Sequence, residues 1–239
     1  DDEIVILTAD VHDPAGRPLT TTLDTRITNP ASPMTLEEGP GWLHCTGPDF
    51  SIGYLFLTDT TPTARLTTVT NSRRLIRTAN PDTPVTKQVF TLSQEHPPTP
   101  HPHSLAYALL PNATRAQVAS YGDSPLTLLS NTPHLQAVEH QGLSLLMANT
   151  FTPGPHQAGP LTIEGPASVL LHTTPDGTLS MAISDPTTKR DTVTVLLRGY
   201  RLDVVSADDD VHVRRLSTGT RLTADTRSLN GRSVTASLH

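Results

Sequence analysis

LAYALLPNATRAQVASYGDSPLTLLSNTPHLQAV, from Leu105 to Val138, is the stretch whose reading decides the fold. Leu105–Leu110 is an apolar run of strand length, and Pro111 stops it. Thr114-Arg-Ala-Gln117 fits a capping box, with Thr114 as N-cap and Gln117 reaching back, so a short helix is predicted over Thr114–Tyr121 with Gly122 ending it. Thr127–Leu129 and Leu135–Glu139 read as short strands. This is the one convincing helical pattern in the chain, and strands flank it on both sides. The chain is therefore read as all-β, with the helix marking a passage between two modules.

Composition agrees. The 239 residues suit one large β domain or two medium ones. Hydrophobic residues at 35% and charged residues at 17% place the chain among globular proteins. With 22 prolines, abundant Thr and Val and only 4% aromatics, many short strands joined by Pro-stopped turns are expected. The net charge of -6 gives no basic footprint for nucleic acid, so a polyanionic ligand would have to meet a local cluster of arginines. The single cysteine, Cys45, excludes an internal disulfide framework and a multi-Cys metal site. No apolar run is long enough to span a membrane. The opening DDEIVILTAD is acidic and then strand-like, unlike a signal peptide, which favours a piece of something longer with any export signal upstream.

Working outward, Glu3–Val11 reads as a buried strand, Asp13–Gly16 as a turn, and Leu19–Ile27 as its hairpin partner. Trp42–His44, Ile52–Leu57, Ala64–Thr70 and Thr86–Leu92 are further strands. Asn71–Asn80 (NSRRLIRTAN) is a basic segment closed by turn residues. Gln94–His103 is a Pro/His loop. Beyond Pro153, short strands follow at close spacing: Ser168–His172, Thr178–Ile183, Thr192–Leu197, Arg201–Val205, Val211–Leu216, Arg221–Asp225 and Ser233–Leu238. That rhythm is the signature of an antiparallel sandwich. The domain boundary is placed near Asn131.

The order of these pieces resembles polysaccharide lyase family 8, the hyaluronate, chondroitin AC and xanthan lyases. The resemblance rests on Leu19–Arg26 with its Thr-Thr-x-x-x-x-Arg pattern, on Trp42 followed by Gly53-Tyr54, and on Tyr107–Pro111 before the capped helix. Leu135–Val138, Asn149-Thr150-Phe151, Gly165–Val169 and Ser184–Thr187 extend it over nearly the whole chain. Two loops depart from the family pattern. Gln94-Glu95-His96-Pro97 stands where many members have Asp-His-Gly, and Ser72-Arg73-Arg74 where many have Gly-Ser-Trp. The resemblance implies the rear part of a galactose-mutarotase-like β supersandwich (1–131), then a small C-terminal antiparallel β-sandwich (132–239). It also implies an α/α toroid preceding residue 1, holding the family's Asn, His, Tyr and Arg.

These lyases cleave at C4 of a uronate by β-elimination. The carboxylate must be neutralised as charge develops, a base must take the C5 proton, and an acid must serve the leaving oxygen. No copy of that group is legible here, so no catalytic residue is assigned. Tyr54 and Tyr107 sit inside strands and read as core tyrosines with bonded hydroxyls. Arg73 and Arg74, with Arg77, are the best candidates for substrate binding, because a guanidinium fork suits a sugar carboxylate. A solvated charged turn is the plainer alternative. His96, His101 and His103 include a His-x-His pattern but lie among prolines without a following carboxylate, so no metal is assigned. Cys45 beside His44 lacks a third orienting group and reads as a strand cysteine. Asp208-Asp209-Asp210 reads as an acidic turn, and Asp185-Pro186 as a turn built by an Asp side chain and a fixed φ.

The expectation is the C-terminal β region of a secreted lyase acting on acidic polysaccharide. It would need no cofactor, partner with the upstream toroid of the same protein, touch neither nucleic acid nor membrane, and be inactive by itself. A non-catalytic carbohydrate-binding module and a purely structural extracellular sandwich remain open beside it.

Overall fold

The computed structural model describes residues 3–98, 102–121 and 125–239. The chain divides into two compact units, Asp1–Asp123 and Ser124–His239. Both are built from antiparallel strands, and no helix among the described residues is long and apolar enough to cross a membrane.

Among the described residues the first unit carries two sheets. One has five strands: β1 (Ile4–Val11), β3 (Thr35–Gly39), β4 (Trp42–Gly47), β5 (Phe50–Phe56) and β8 (His103–Pro111), in the order β1-β8-β5-β4-β3. The other has three: β2 (Leu19–Thr28), β7 (Pro84–His96) and β6 (Thr63–Ser72), in the order β2-β7-β6. Leu43, Cys45, Ile52 and Tyr54 of the larger sheet join Phe90 and Leu92 of the smaller in one core cluster. Burial of such side chains is worth roughly 1.5–3 kcal/mol each.

The outer face of the five-stranded sheet is also covered. The short helix α1 (Arg115–Ser120) lays its buried Val118 over Gly53. A Cβ at Gly53 would lie 2.3 Å from Val118 Cγ2, so only glycine lets the helix sit that close. The capping box forms as expected: Gln117 N donates to Thr114 Oγ1 at 3.3 Å, and Thr114 N donates to Gln117 Oε1 at 2.8 Å. The expected stop at Gly122 lies outside the described residues.

Three expectations change. β1 and β2 are not a hairpin: β1 pairs with β8 and β2 with β7, in different sheets. Residues 12–18 form a connection longer than the usual hairpin turn, and it carries the chain from one sheet to the other. The strand Thr35–Gly39 went unread because its Glu37-Glu38 pair is polar and it lies at a sheet edge, where charge is favoured. The Pro/His loop is shorter than expected, since β7 pairs with β2 as far as His96 and β8 starts at His103.

The second unit holds β9 (Leu126–Asn131), β10 (Leu135–His140), β11 (Leu145–Ala158), β12 (Leu161–Thr173), β13 (Leu179–Ser184), β14 (Thr192–Arg198), β15 (Val204–Ala207), β16 (Val211–Leu216), β17 (Gly219–Asp225) and β18 (Val234–Leu238). Because β9 pairs with β10, Leu126–Asn131 lies with this unit, a few residues ahead of the boundary placed near Asn131. One layer runs β15-β18-β13-β12-β11-β10-β9. The other is β12-β14-β17-β16, reached because Leu161–Ile163 pairs with β14 whereas Ser168–Thr173 pairs with β13.

The long β11–β12 hairpin thus belongs to both layers. It bends at a bulge between Thr150 and Gly154, where Pro153 needs no donor in the ladder. Thr150 Oγ1 takes the open position, accepting from Ala167 N at 2.8 Å. Gly165 lies beneath it, where a Cβ would meet Thr150 Oγ1 at 2.4 Å and Thr152 O at 2.7 Å. Alternation in β12 sends Leu161, Ile163, Ala167, Val169 and Leu171 into a single core with Val193, Val195, Leu197 and Leu222 from the opposite layer.

Candidate functional site

Arg73 and Arg74 stand at the tip of the β6–β7 hairpin. β2 pairs with β7 only as far as Gln88, while β6 and β7 continue from Val69↔Lys87 to Ser72↔Pro84. Those four further pairs extend the hairpin about 13 Å past its third strand. The arm is exposed on both faces. Its tip is a 3-10 turn over Arg73–Leu75, closed by Ile76 N and Arg77 N donating to Arg73 O at 3.1 and 3.2 Å. Asn80 Nδ2 donates to the same carbonyl at 3.1 Å.

This turn brings Arg73, Arg74 and Arg77 into one exposed cluster. Arg74 Nη1 lies 3.8 Å from Asp82 Oδ2, an exposed pair too loose to hold the side chain. Arg73 and Arg77 make no ion pair among the described residues. Leu75 and Ile76, 74% and 88% exposed, complete the tip. Sequence reasoning registered the arginines but passed over this apolar pair. Its signal was two consecutive aliphatics inside a turn with no strand to bury them.

Tyr54 and Tyr107 behave as core residues. Tyr54 is fully buried and its hydroxyl donates to Asp24 Oδ2 at 2.5 Å. Arg26 Nε donates to the same oxygen at 2.8 Å, and its guanidinium lies 4.7 Å from the Phe50 ring centre. Burial pushes the Tyr54 phenol far up, and the Asp24 carboxylate pushes it further. Burial likewise raises Tyr107, with Asp24 adding to it. Tyr121 is pushed up to about 12 by burial and then by Glu3.

The remaining candidates resolve as structural groups. Cys45 is buried and its thiol is pushed up to about 11, chiefly by burial, which suppresses the thiolate. His44 is buried too, with Nε2 2.9 Å from Ser51 Oγ and 3.0 Å from Ala113 O. His96 Nε2 lies 2.9 Å from Thr21 Oγ1, and its ring centre lies 5.4 Å from that of His103 with the planes tilted by 43°. His101 lies outside the described residues, and among those described no cluster of three or more ligating side chains gathers. Asp208 holds its turn by accepting from Thr235 N at 2.7 Å. Asp185 also builds a turn, accepting from Thr187 N, Lys189 N and Arg190 N at 2.9, 2.9 and 2.8 Å.

The described residues thus form two antiparallel units, with an arginine-tipped arm on the first and a crossing hairpin in the second. Residues 1–122 match the super-sandwich domain of polysaccharide lyase family 8, and residues 127–194 match that family's C-terminal β-sandwich domain. The chain belongs to polysaccharide lyase family 8. It is 30% identical over 259 residues to a xanthan lyase of Bacillus sp. (strain GL1), which covers 99% of this chain and 28% of that protein. It is 29% identical over 262 residues to a hyaluronate lyase of Cutibacterium acnes, covering 99% of this chain and 31% of the relative. Among solved structures, a Paenibacillus xanthan lyase superposes with a TM-score of 0.86 at 24% identity, over 100% of this chain and 25% of that one. A Streptomyces coelicolor A3 chondroitin AC lyase in complex with chondroitin sulphate gives a TM-score of 0.84 at 25% identity, over 100% and 31%. The chain spans under a third of the length of these relatives.

Proposed function

We propose that this chain is the non-catalytic β region of a secreted lyase that cleaves acidic polysaccharide of hyaluronan, chondroitin or xanthan type by β-elimination. The observation that carries the reading is that both β modules of the family match in order while the chain spans under a third of its relatives. The catalytic group then belongs to an α/α toroid elsewhere in the same protein. Secretion fits a substrate too large to enter a cell.

Three of the four tyrosines support this division of labour. A tyrosine that takes the weakly acidic C5 proton near neutral pH needs its phenol brought down towards that range. Tyr54, Tyr107 and Tyr121 are all moved the other way. Residues 1–239 alone are expected to release no unsaturated uronate from hyaluronan, chondroitin or xanthan, followed by ultraviolet absorbance. Sustained turnover by the purified chain would overturn the assignment.

The chain's own share is to wall the cleft and to contact substrate through the arm. Arg73 and Arg74 present unpaired or loosely paired forks to a uronate carboxylate, and Leu75 and Ile76 offer an apolar surface to the face of a sugar ring. Removing both forks in Arg73→Ala/Arg74→Ala is expected to weaken hyaluronan binding by roughly tenfold, since each charge-assisted bond is worth about 1.5–3 kcal/mol before screening by solvent. Titration of a fluorescent oligosaccharide checks it, and unchanged affinity would make the arm a solvated turn.

A further inference from the structure

The outer face of the second layer of the C-terminal unit carries two arginines in direct opposition. Arg214 of β16 is registered against Arg221 of β17. Both are exposed, whereas their strand neighbours Val213 and Leu222 point inward, Leu222 being fully buried. The Cβ atoms of residues so paired stand about 5 Å apart, and like charges directly opposite each other destabilise a sheet. Nothing nearby relieves them. Arg215 reaches Asp203, Arg227 reaches Asp225 and Arg232 reaches Asp210, but the side chains of Arg214 and Arg221 make no ion pair or hydrogen bond among the described residues.

The surroundings favour an anion. Leu196 of β14 and Thr162 of β12 continue the same row across the sheet. His212 and Thr223 face each other in the next row. Thr223 and Thr194 add hydroxyl donors beside the arginines. The acids that share this face are distant or occupied. Glu164 is on β12, two strands from Arg221 and therefore about 10 Å away. Asp225, four residues along β17, is taken by Arg227, whose Nε donates to its Oδ1 at 3.0 Å.

We propose that Arg214 and Arg221 form a second binding site, remote in sequence from the Arg73–Arg74 arm, that takes a carboxylate or sulfate of an acidic polysaccharide between two guanidinium forks. The proposal rests on the reading that the ligand is an acidic polysaccharide. Its logic is that a charge repulsion retained on an exposed sheet face is relieved when an anion bridges the pair. The site would hold the polymer on the C-terminal sandwich and raise its local concentration near the enzyme.

The test uses residues 1–239 bearing Arg73→Ala/Arg74→Ala, so that the arm contributes nothing. Binding of a fluorescent hyaluronan oligosaccharide, which carries carboxylates only, and of a chondroitin sulphate oligosaccharide is measured at low salt, with neutral dextran as control. Adding Arg214→Ala/Arg221→Ala is expected to weaken the remaining binding at least tenfold, and Arg214→Lys/Arg221→Lys to restore part of it without the bidentate geometry. Loss with both oligosaccharides assigns the site to carboxylate, and loss with the sulphated one alone assigns it to sulfate. The melting temperature of the alanine variant should equal or exceed that of its parent, because the repulsion is gone. Binding untouched by the Arg214/Arg221 substitutions overturns this site while leaving the acidic-polysaccharide reading intact. Absence of acidic-glycan binding by the unsubstituted chain overturns both.

Discussion

Asp185→Ala is expected to cost about 3 kcal/mol of stability and to lower the melting temperature of the second unit by roughly 10 °C or more. Asp185 is 2% exposed and its carboxylate organises the turn between β13 and β14. Oδ1 accepts from Thr187 N and, at 2.6 Å, from Thr187 Oγ1, while Oδ2 accepts from Lys189 N and Arg190 N. Alanine leaves three backbone donors without that acceptor, and an unmade buried bond costs the desolvation of the orphaned group. Asp185→Asn removes the charge and can accept through only one atom, so an intermediate loss is expected.

The same carboxylate makes the unit acid-sensitive. Burial acts to raise its pKa, but the bonds from Thr187, Arg190 and Lys189 prevail and hold it below the ordinary aspartate value. A carboxylate depressed in the folded state stabilises fully above its unfolded value, near 3.9, and the contribution is lost as pH falls through the folded value. Stability of the unsubstituted chain should therefore drop below about pH 4 more steeply than that of Asp185→Ala, which has already lost the contribution. Melting curves between pH 2 and 7 test this. Parallel profiles for the two proteins would remove Asp185 from the acid response.

What was legible in the sequence was local. The Asp185-Pro186 turn could be read because its chemistry lies within five residues, and the structure closes it with Thr187, Lys189 and Arg190. The Thr114–Gln117 capping box is equally self-contained. Tyr54 was read as a core tyrosine with a bonded hydroxyl, but its acceptor, Asp24, comes from another sheet and no spacing rule could name it. The assumed pairing of the first two strands failed for the same reason. Proximity along the chain favours a hairpin, whereas β1 and β2 are drawn apart by partners at residues 103–111 and 84–96. The arm was visible only as a run of charge. That it projects beyond its sheet depends on where β2 stops, a property of register and not of composition.

The second large effect concerns that hidden acceptor. Asp24→Ala is expected to cost the first unit about 3 kcal/mol, while Tyr54→Phe costs about 1 kcal/mol. The asymmetry follows from what each leaves behind. With phenylalanine at position 54, the Asp24 carboxylate still accepts from Arg26 Nε at 2.8 Å, and the ring keeps its packing 6.0 Å from Phe90. With alanine at position 24, the fully buried Tyr54 hydroxyl loses its acceptor and the half-buried Arg26 loses its counter-ion, so two polar groups are stranded together. The double substitution Asp24→Ala/Tyr54→Phe removes both ends of the buried bond and should be less destabilising than the sum of the single changes, a coupling of at least 0.5 kcal/mol measured by a double-mutant cycle in urea. Additive losses would mean that the bond contributes no coupling. High pH probes the same group without substitution. Burial and Asp24 raise the Tyr54 pKa, so its stabilising contribution is complete below the unfolded value near 10 and is lost as pH rises towards the folded one. Alkaline melting curves should therefore fall above pH 10 for the unsubstituted chain, and Tyr54→Phe should flatten that fall.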